Sequence, residues 1–203
     1  MTRITLTTAA ILMSTSAAFA GPVNVPPPPP PIIVQPDEPY DGFYVGLEYG
    51  IAQGDILETE LLVTPTPFTF TPEGSAWGGF AGYNVQNGSM IYGGEIRMLH
   101  FIGVEDAGFE FEDVIDLRAR LGFAASDTLM FYGALGYSTS NAVAAGVQTD
   151  LTGFNYGAGV EYNVTERWFV GADVTGRQLE GETPAFSYDG TLNTATLRIG
   201  FRF

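Results

Sequence analysis

The chain has no cysteine, no lysine and a single histidine, His100. Without cysteine there are no disulfides, so the fold must be held by hydrogen bonding and packing alone. All eight basic residues are arginine, and they face 23 acidic residues, which gives a net charge of −15. A surface this negative argues against nucleic acid as a partner and against peripheral binding to anionic lipid.

The mature chain also lacks any stretch of about 20 continuous apolar residues, so no transmembrane helix is predicted. The N-terminus has a different character. Arg3 precedes an apolar stretch over residues 4–19, and Ala18-Phe19-Ala20 fits the small-x-small cleavage pattern of exported proteins. Residues 1–20 are therefore predicted to be a signal peptide, the alternative being a mature N-terminal helix. Losing Arg3 leaves seven basic against 23 acidic residues, a net charge of −16.

Residues 21–40 form a Pro-rich region that includes a run from Pro26 to Pro31. Proline donates no backbone hydrogen bond and favours the polyproline II conformation. We interpret this region as a semi-rigid periplasmic leader, which either contacts the cell wall or serves as a spacer without a ligand.

From residue 41 onward the chain alternates apolar and polar residues with a period of two, which is typical of β-strands. Each alternating segment is close to the ~9–11 residues that cross a bilayer at a tilt. The eight segments are roughly 42–51, 76–86, 89–100, 113–124, 128–139, 152–163, 167–178 and 193–203. Three connections are short, at Asn87-Gly88, Ser126-Asp127 and 163–166. The others are long, at 52–75, 101–112, 140–151 and 179–192. Short turns at one end and long loops at the other are typical of outer-membrane barrels.

Nearly every charge in these segments lies on one face. Turning segment 113–124 over would expose Asp116, Arg118 and Arg120 to lipid, at a cost on the order of 5–10 kcal/mol. We therefore expect the charged face to point into the barrel, although the phase of segments 76–86 and 128–139 is left open. The predicted lumen network is Glu48, Glu95, Arg97, Asp116, Arg118, Arg120, Glu161, Asp173, Arg177, Arg198 and Arg202.

An eight-stranded barrel is just wide enough for side chains to fill, so these charges are expected to form ion pairs. Glycines on the same face, such as Gly46, Gly82 and Gly200, are expected to leave room for the arginines. The alternative interpretation is a polar conduction path with a switchable salt-bridge gate.

The chain ends on Leu197-x-Ile199-x-Phe201-x-Phe203. With the signal peptide and the eight alternating segments, this ending resembles the small eight-stranded outer-membrane β-barrel family. That family is related to OmpA- and OmpX-type barrels, opacity-type surface proteins and porin family proteins. The resemblance covers residues 42–203. It implies an all-β, eight-stranded antiparallel up-and-down transmembrane barrel, with short periplasmic turns and long extracellular loops.

The resemblance also implies location and partners. It places residues 41–203 in the outer membrane of a Gram-negative cell envelope, as a monomer among outer-membrane lipid and lipopolysaccharide. Leu197, Ile199, Phe201 and Phe203 would be the signal read by the barrel-assembly machinery. The long loops, together with Asp113 at the edge of one of them, hold 13 acidic and no basic residues, without regular metal-ligand spacing, so we expect solvated charge and no metal site.

Three functions remain open at this stage. The first is a structural, surface-exposed barrel, the second a narrow porin-like channel for small solutes or ions, and the third a lipid A-modifying barrel enzyme. His100 would be the natural general base of an enzyme. It has no serine or acid at a recognisable spacing, and its parity puts it on the lipid side. The sequence therefore favours a protein that is not an enzyme and has no cofactor.

Overall fold

A computed structural model describes residues 38–60, 68–106, 108–144, 147–182 and 186–203. The predicted signal peptide, residues 1–20, lies outside the described residues. So does nearly all of the predicted leader, 21–40, of which only the last three residues are described.

The described chain is built of strands. They are β1 (Gly42–Glu60), β2 (Phe68–Phe70), β3 (Glu73–Asn87), β4 (Met90–Asp106), β5 (Phe109–Ala124), β6 (Leu129–Ala144), β7 (Val147–Asn163), β8 (Trp168–Glu182) and β9 (Phe186–Arg202). Over this part of the chain we find no helix that is long and apolar enough to cross a membrane.

Eight of the strands close into a barrel. β1 and β3 to β9 pair antiparallel in chain order, and β9 pairs back with β1 from Tyr44↔Arg202 to Glu60↔Phe186. The short β2 is an addition that pairs with β1 between Ile56↔Phe70 and Glu58↔Phe68. The predicted eight-stranded antiparallel up-and-down barrel is therefore confirmed, with one extra strand.

Three tight turns lie at one end of the barrel, which we call the short-turn end. Gly88, with a φ of 59°, helps to close the β3–β4 hairpin. The β5–β6 and β7–β8 turns use a hydroxyl. Ser126 Oγ accepts the backbone N–H of Leu129 at 3.1 Å, and Thr165 Oγ1 accepts that of Trp168 at 3.0 Å. The turns fall where the sequence predicted them.

At the opposite end, the hairpin end, the strands are longer than the sequence predicted. β1 runs to Glu60 instead of residue 51, and β4 and β5 stay paired as far as Asp106↔Phe109. Most of each predicted long connection is thus an extension of the ladder. Alternation persists there with reversed polarity, since Gln53 and Asp55 are exposed while Ile56 is buried.

This reversal divides the barrel into two halves. The short-turn half comprises 42–51, 77–87, 90–98, 115–124, 129–138, 154–163, 168–177 and 194–202. The hairpin half comprises 52–60, 68–76, 99–106, 109–114, 139–144, 147–153, 178–182 and 186–193. Charged groups fill the interior of the short-turn half. An apolar cluster fills the hairpin half, and its members are Ala52, Ile56, Phe70, Ala76, Leu99, Phe101, Val104, Phe111, Val114, Ala142, Leu151, Leu179, Tyr188 and Leu192.

Candidate functional site

The lumen of the short-turn half holds the charges of the molecule's interior. All eleven residues of the predicted network lie there, each at most 4% exposed. Each sits on the inward parity of its strand, and most are flanked by outward apolar residues. Leu117 and Leu197, for example, are 65% and 73% exposed. Apolar side chains therefore face outward and charged side chains face inward in this half.

Glu95 on β4 stands at the centre of the network. Its carboxylate oxygens accept hydrogen bonds from Arg118 Nη2 at 2.6 Å, Arg198 Nη2 at 2.7 Å and Arg120 Nη1 at 3.0 Å. The Tyr44 hydroxyl donates a further bond at 3.0 Å. One buried carboxylate is thus shared by three guanidinium groups, which offsets much of its desolvation.

A second group of pairs lies towards the hairpin half. Asp116 binds Arg177 Nη2 at 2.7 Å and Arg97 Nη2 at 2.8 Å. Arg97 Nη1 also reaches Asp173 at 2.9 Å and Glu48 at 3.4 Å. Asp173 in turn binds Arg118 Nη2 at 2.9 Å, which links this group to Glu95.

A third group runs to the short-turn end. Arg120 binds both Glu95 and Glu161, and Arg202 Nη2 lies 3.3 Å from Glu161. All five carboxylates and all six guanidinium groups therefore form one connected network.

Neutral side chains complete the network, and the sequence reasoning did not assign them. The Tyr132 hydroxyl donates to Asp173 at 2.7 Å, and Ser138 Oγ donates to Asp116 at 2.6 Å. The guanidinium carbon of Arg198 lies 3.6 Å from the centre of the Phe80 ring. These residues share the inward parity of the charged residues, so the alternation itself carries the signal that would have found them.

Three of the inward glycines make room for aromatic rings, and the expectation that these three accommodate arginine was wrong. A Cβ at Gly46 would overlap the ring of Phe80, and one at Gly200 would overlap the ring of Phe169. Gly82 similarly faces Tyr44. Two of these rings lie against guanidinium groups, since the guanidinium carbon of Arg198 is 3.6 Å from the centre of the Phe80 ring and that of Arg202 is 5.0 Å from the centre of the Phe169 ring.

Apolar clusters lie on both sides of the charged network in the barrel interior. The apolar cluster covers it on the hairpin side. On the short-turn side lies a smaller cluster of Tyr40, Ile91, Met130 and Tyr132. Burial is the main cause that raises the pKa of the Tyr40 hydroxyl to about 12. The positive charge of Arg202 offsets part of this rise.

The C-terminal residues of the predicted assembly signal lie on the outer face of β9 or at its end. Leu197, Ile199 and Phe203 are 73%, 49% and 74% exposed, and the Phe201 ring packs 5.2 Å from that of Trp168. The Phe203 N–H donates to Phe43 O at 2.9 Å, which ties the chain end to β1. The structure thus presents a continuous outward apolar row at the C-terminus.

Ten aromatic side chains face outward near the two ends of the short-turn half, each 42–74% exposed. On the short-turn side they are Phe43, Tyr83, Phe123, Tyr162, Trp168 and Phe203, and on the other side Tyr49, Trp77, Tyr137 and Phe154. Trp77 and Tyr83 also fix the phase of β3, which the sequence left open. Such a distribution is typical of interfacial girdles.

His100 has a partner that the sequence reasoning missed. The antiparallel β4–β5 register puts it opposite Asp113, and its Nδ1 lies 2.8 Å from Asp113 Oδ1. No acid lies at a recognisable sequence spacing from His100, and strand pairing brings Asp113 to it from 13 residues away. The two side chains are 48% and 31% exposed, at the outer rim beside Trp77. Within the described residues, no group of three or more histidine or acidic side chains is arranged to hold a metal ion.

These observations define a class of protein. A closed antiparallel barrel with a lipophilic belt, aromatic girdles and an ion-paired interior is a membrane-spanning β-barrel. A family described as "Outer membrane protein beta-barrel domain" matches residues 6–203, and the chain belongs to that family. It is an outer-membrane protein, and its short turns are periplasmic.

Three solved structures are similar to this chain, and the first of them has the same fold. Neisserial surface protein A is 16% identical with a TM-score of 0.52, over 80% of this chain and 97% of that chain. The attachment invasion locus protein Ail of Yersinia pestis is 18% identical with a TM-score of 0.47, over 80% and 99% of the two chains. The N-terminal β-barrel domain of Pseudomonas aeruginosa OprF is 19% identical with a TM-score of 0.46, over 78% and 99%. No curated protein matches the chain.

Proposed function

We propose that this protein is a structural barrel that stabilises the outer membrane and presents its hairpin half to the outside, without conducting solutes and without catalysis. The single observation that supports this most is the connected ion-pair network around Glu95, which links buried side chains from Arg177 to Arg202 across the barrel interior. The proposal places a rigid cylinder in the bilayer and leaves contact with the surroundings to the exposed hairpins.

The energetics of the network favour a closed lumen. Separating one partner from a buried ion pair costs about 3–5 kcal/mol when the other charge stays buried. A solute path through the barrel would separate several pairs at once, and it would also have to part the apolar cluster above them. The narrow porin-like channel is therefore the weaker alternative.

The hairpin half is expected to interact with its surroundings through negative charge. It carries 13 acidic residues and no lysine or arginine, and Asp55, Glu105, Glu180 and Asp189 are exposed. Lipopolysaccharide phosphates would be repelled unless divalent cations bridge the two surfaces. We propose a monomer surrounded by outer-membrane lipid and lipopolysaccharide, with no nucleic acid partner. Contact with the cell wall through the Pro-rich leader is a further part of this proposal.

The lipid A-modifying alternative rests on the His100–Asp113 pair. A carboxylate on Nδ1 is the arrangement that orients a catalytic imidazole. No hydroxyl or thiol nucleophile contacts the imidazole in the described structure. Replacing His100 with Ala while assaying lipid A modification tests this role, since an activity that disappears in the variant would establish an enzyme.

Planar-bilayer recording tests the closed barrel. Folded protein, identified by a heat-modifiable gel shift, is expected to show no steady openings. Stepwise openings of constant size would instead support the porin-like channel. A Glu95→Gln variant serves as the comparison, since loosening its three arginines should raise the frequency of brief openings above that of the parent protein.

Assembly by the barrel-assembly machinery is proposed to depend on the outward row at the C-terminus. Deleting Phe203 should lower the amount of protein in the outer membrane while leaving export across the inner membrane intact. Phe203→Tyr keeps the aromatic terminus and should assemble normally. Normal outer-membrane levels after the deletion would contradict this role.

A further inference from the structure

The residues just before the first strand are built into the barrel mouth. Tyr40 precedes β1 and belongs to the region that the sequence predicted as a leader, yet it is fully buried. Its ring packs with Ile91, Met130 and Tyr132, across the periplasmic end of the lumen. A spacer that merely left the barrel would have no reason to bury its last aromatic residue there.

Specific hydrogen bonds hold this segment in place. The Tyr40 N–H donates to Gln86 Oε1 at 2.9 Å, and the Tyr40 hydroxyl donates to Ser126 O at 3.0 Å. Asp41 Oδ1 accepts the Gln86 N–H at 3.0 Å. Tyr40 is thus attached to the first periplasmic turn through its backbone and to the second through its hydroxyl.

Arg202 connects this segment to the ion-paired lumen. Its Nη1 donates to Pro39 O at 2.9 Å and to Asn163 Oδ1 at 3.1 Å, while its Nη2 pairs with Glu161. The guanidinium carbon also lies 5.3 Å from the centre of the Tyr40 ring. One arginine therefore holds both the segment before β1 and the lowest carboxylate of the network.

We propose that Glu38–Asp41 is a removable plug of the periplasmic mouth, with Tyr40 as its stopper and Arg202 as its latch. When Tyr40 is withdrawn, periplasmic water reaches Met130 and the lower network, while the apolar cluster of the hairpin half still blocks passage. This inference extends the proposed closed barrel to the question of how its periplasmic end is sealed.

A thiol-accessibility experiment tests the plug, since the chain has no native cysteine. The reporter is Met130→Cys, a position 1% exposed behind Tyr40. This reporter is placed in the parent protein and in the Tyr40→Ala and Tyr40→Phe variants. Each folded protein is then treated with a charged, water-soluble methanethiosulfonate. Leu99→Cys, in the apolar cluster of the hairpin half, is the matched control reporter.

Tyr40→Ala should raise the labelling rate at position 130 by on the order of tenfold or more, as local exposure of a buried site does. Tyr40→Phe keeps the ring and should stay close to the parent rate. Position 99 should remain protected in all three backgrounds, which separates local opening from general loosening. A gel shift on every sample identifies folded protein.

Equal labelling at position 130 with and without the Tyr40 ring would overturn the plug, as would labelling at 99 that rises in parallel. Either result would leave the closed barrel standing if the bilayer recordings show no openings. Steady conductance of the parent protein would contradict the closed barrel, whatever the labelling shows.

Discussion

The two halves of the barrel arrange the same alternation in opposite ways. On β9, outward Leu197 in the short-turn half is 73% exposed and lies next to buried Arg198. Eight residues away along the same face, in the hairpin half, outward Asp189 is exposed and lies next to buried Tyr188. Neither the strand nor its parity changes between the two positions, so the difference must come from the surroundings.

The solvent that surrounds each half of the barrel decides which side chains fill its interior. Around the hairpin half there is water, so burying apolar side chains is favourable and an oily core forms as in a soluble protein. Around the short-turn half there is hydrocarbon, and moving an apolar side chain inward gains nothing from hydration. Its interior is available for polar groups, which must then satisfy one another.

The largest effect is expected where the charged interior is broken. Glu95→Gln removes the charge shared by Arg118, Arg120 and Arg198 and leaves three buried guanidinium groups undercompensated. The free energy of unfolding should fall by about 3–5 kcal/mol. Urea unfolding in lipid or detergent measures it. Glu180→Gln, the same change on the exposed face of the hairpin half, should stay within about 0.5 kcal/mol.

If Glu95→Gln lowered the free energy of unfolding no more than Glu180→Gln, the network would contribute little to stability. The difference between the charged and the apolar interior would then have no measurable effect on stability.

The next effect concerns the apolar interior of the hairpin half. Leu99 is fully buried in that cluster, and Leu99→Ala should lower the free energy of unfolding by about 2–5 kcal/mol, because it leaves a cavity. Leu135 is 69% exposed on the outer face of the short-turn half, so Leu135→Ala loses only lipid contacts and should cost clearly less. Equal losses for the two variants would show that the hairpin half has no packed core.

A smaller effect is expected from charging the outer face. Leu197→Arg puts a cation into the hydrocarbon belt and should cost about 2–4 kcal/mol near the midplane. Asp189→Arg changes the charge at the same parity where water surrounds the wall, and it should stay within about 0.5 kcal/mol. The difference between the two unfolding free energies measures the boundary between the halves. A similar cost at both positions would place that boundary elsewhere.

The fold of the short-turn half could be predicted from sequence because both of its faces are diagnostic. Charges such as Asp116 and Arg118 are too costly in lipid to point outward, so alternation together with charge fixed the phase. In the hairpin half the same alternation runs with reversed polarity, as at Gln53 and Ile56. Strand ends predicted from outward apolar residues therefore fall short of the observed strand ends. The short β2 rests on only three pairs with β1, too few to leave a periodic signal.

The sequence predicted which charged residues belong to the candidate site. It did not predict which of them pair with one another. Each of the eleven charged residues followed from inward parity, but which carboxylate meets which guanidinium depends on how neighbouring strands are staggered, as in the pairing of Arg202 with Glu161. The burial of Tyr40 had no sequence signal beyond an aromatic residue after a proline-rich run. The His100–Asp113 contact needed the β4–β5 register.

A site-by-site scan of β9 tests the central claim most directly. Single cysteines at each position from 188 to 199, carrying a nitroxide spin label in lipid bilayers, report contact with dissolved oxygen or with a water-soluble nickel complex. Outward positions 189 and 193 are expected to contact the nickel complex, and outward positions 195, 197 and 199 are expected to contact oxygen. The inward, even-numbered positions from 188 to 198 are expected to be shielded from both reagents. A single, unchanging outward environment along the whole strand would contradict it.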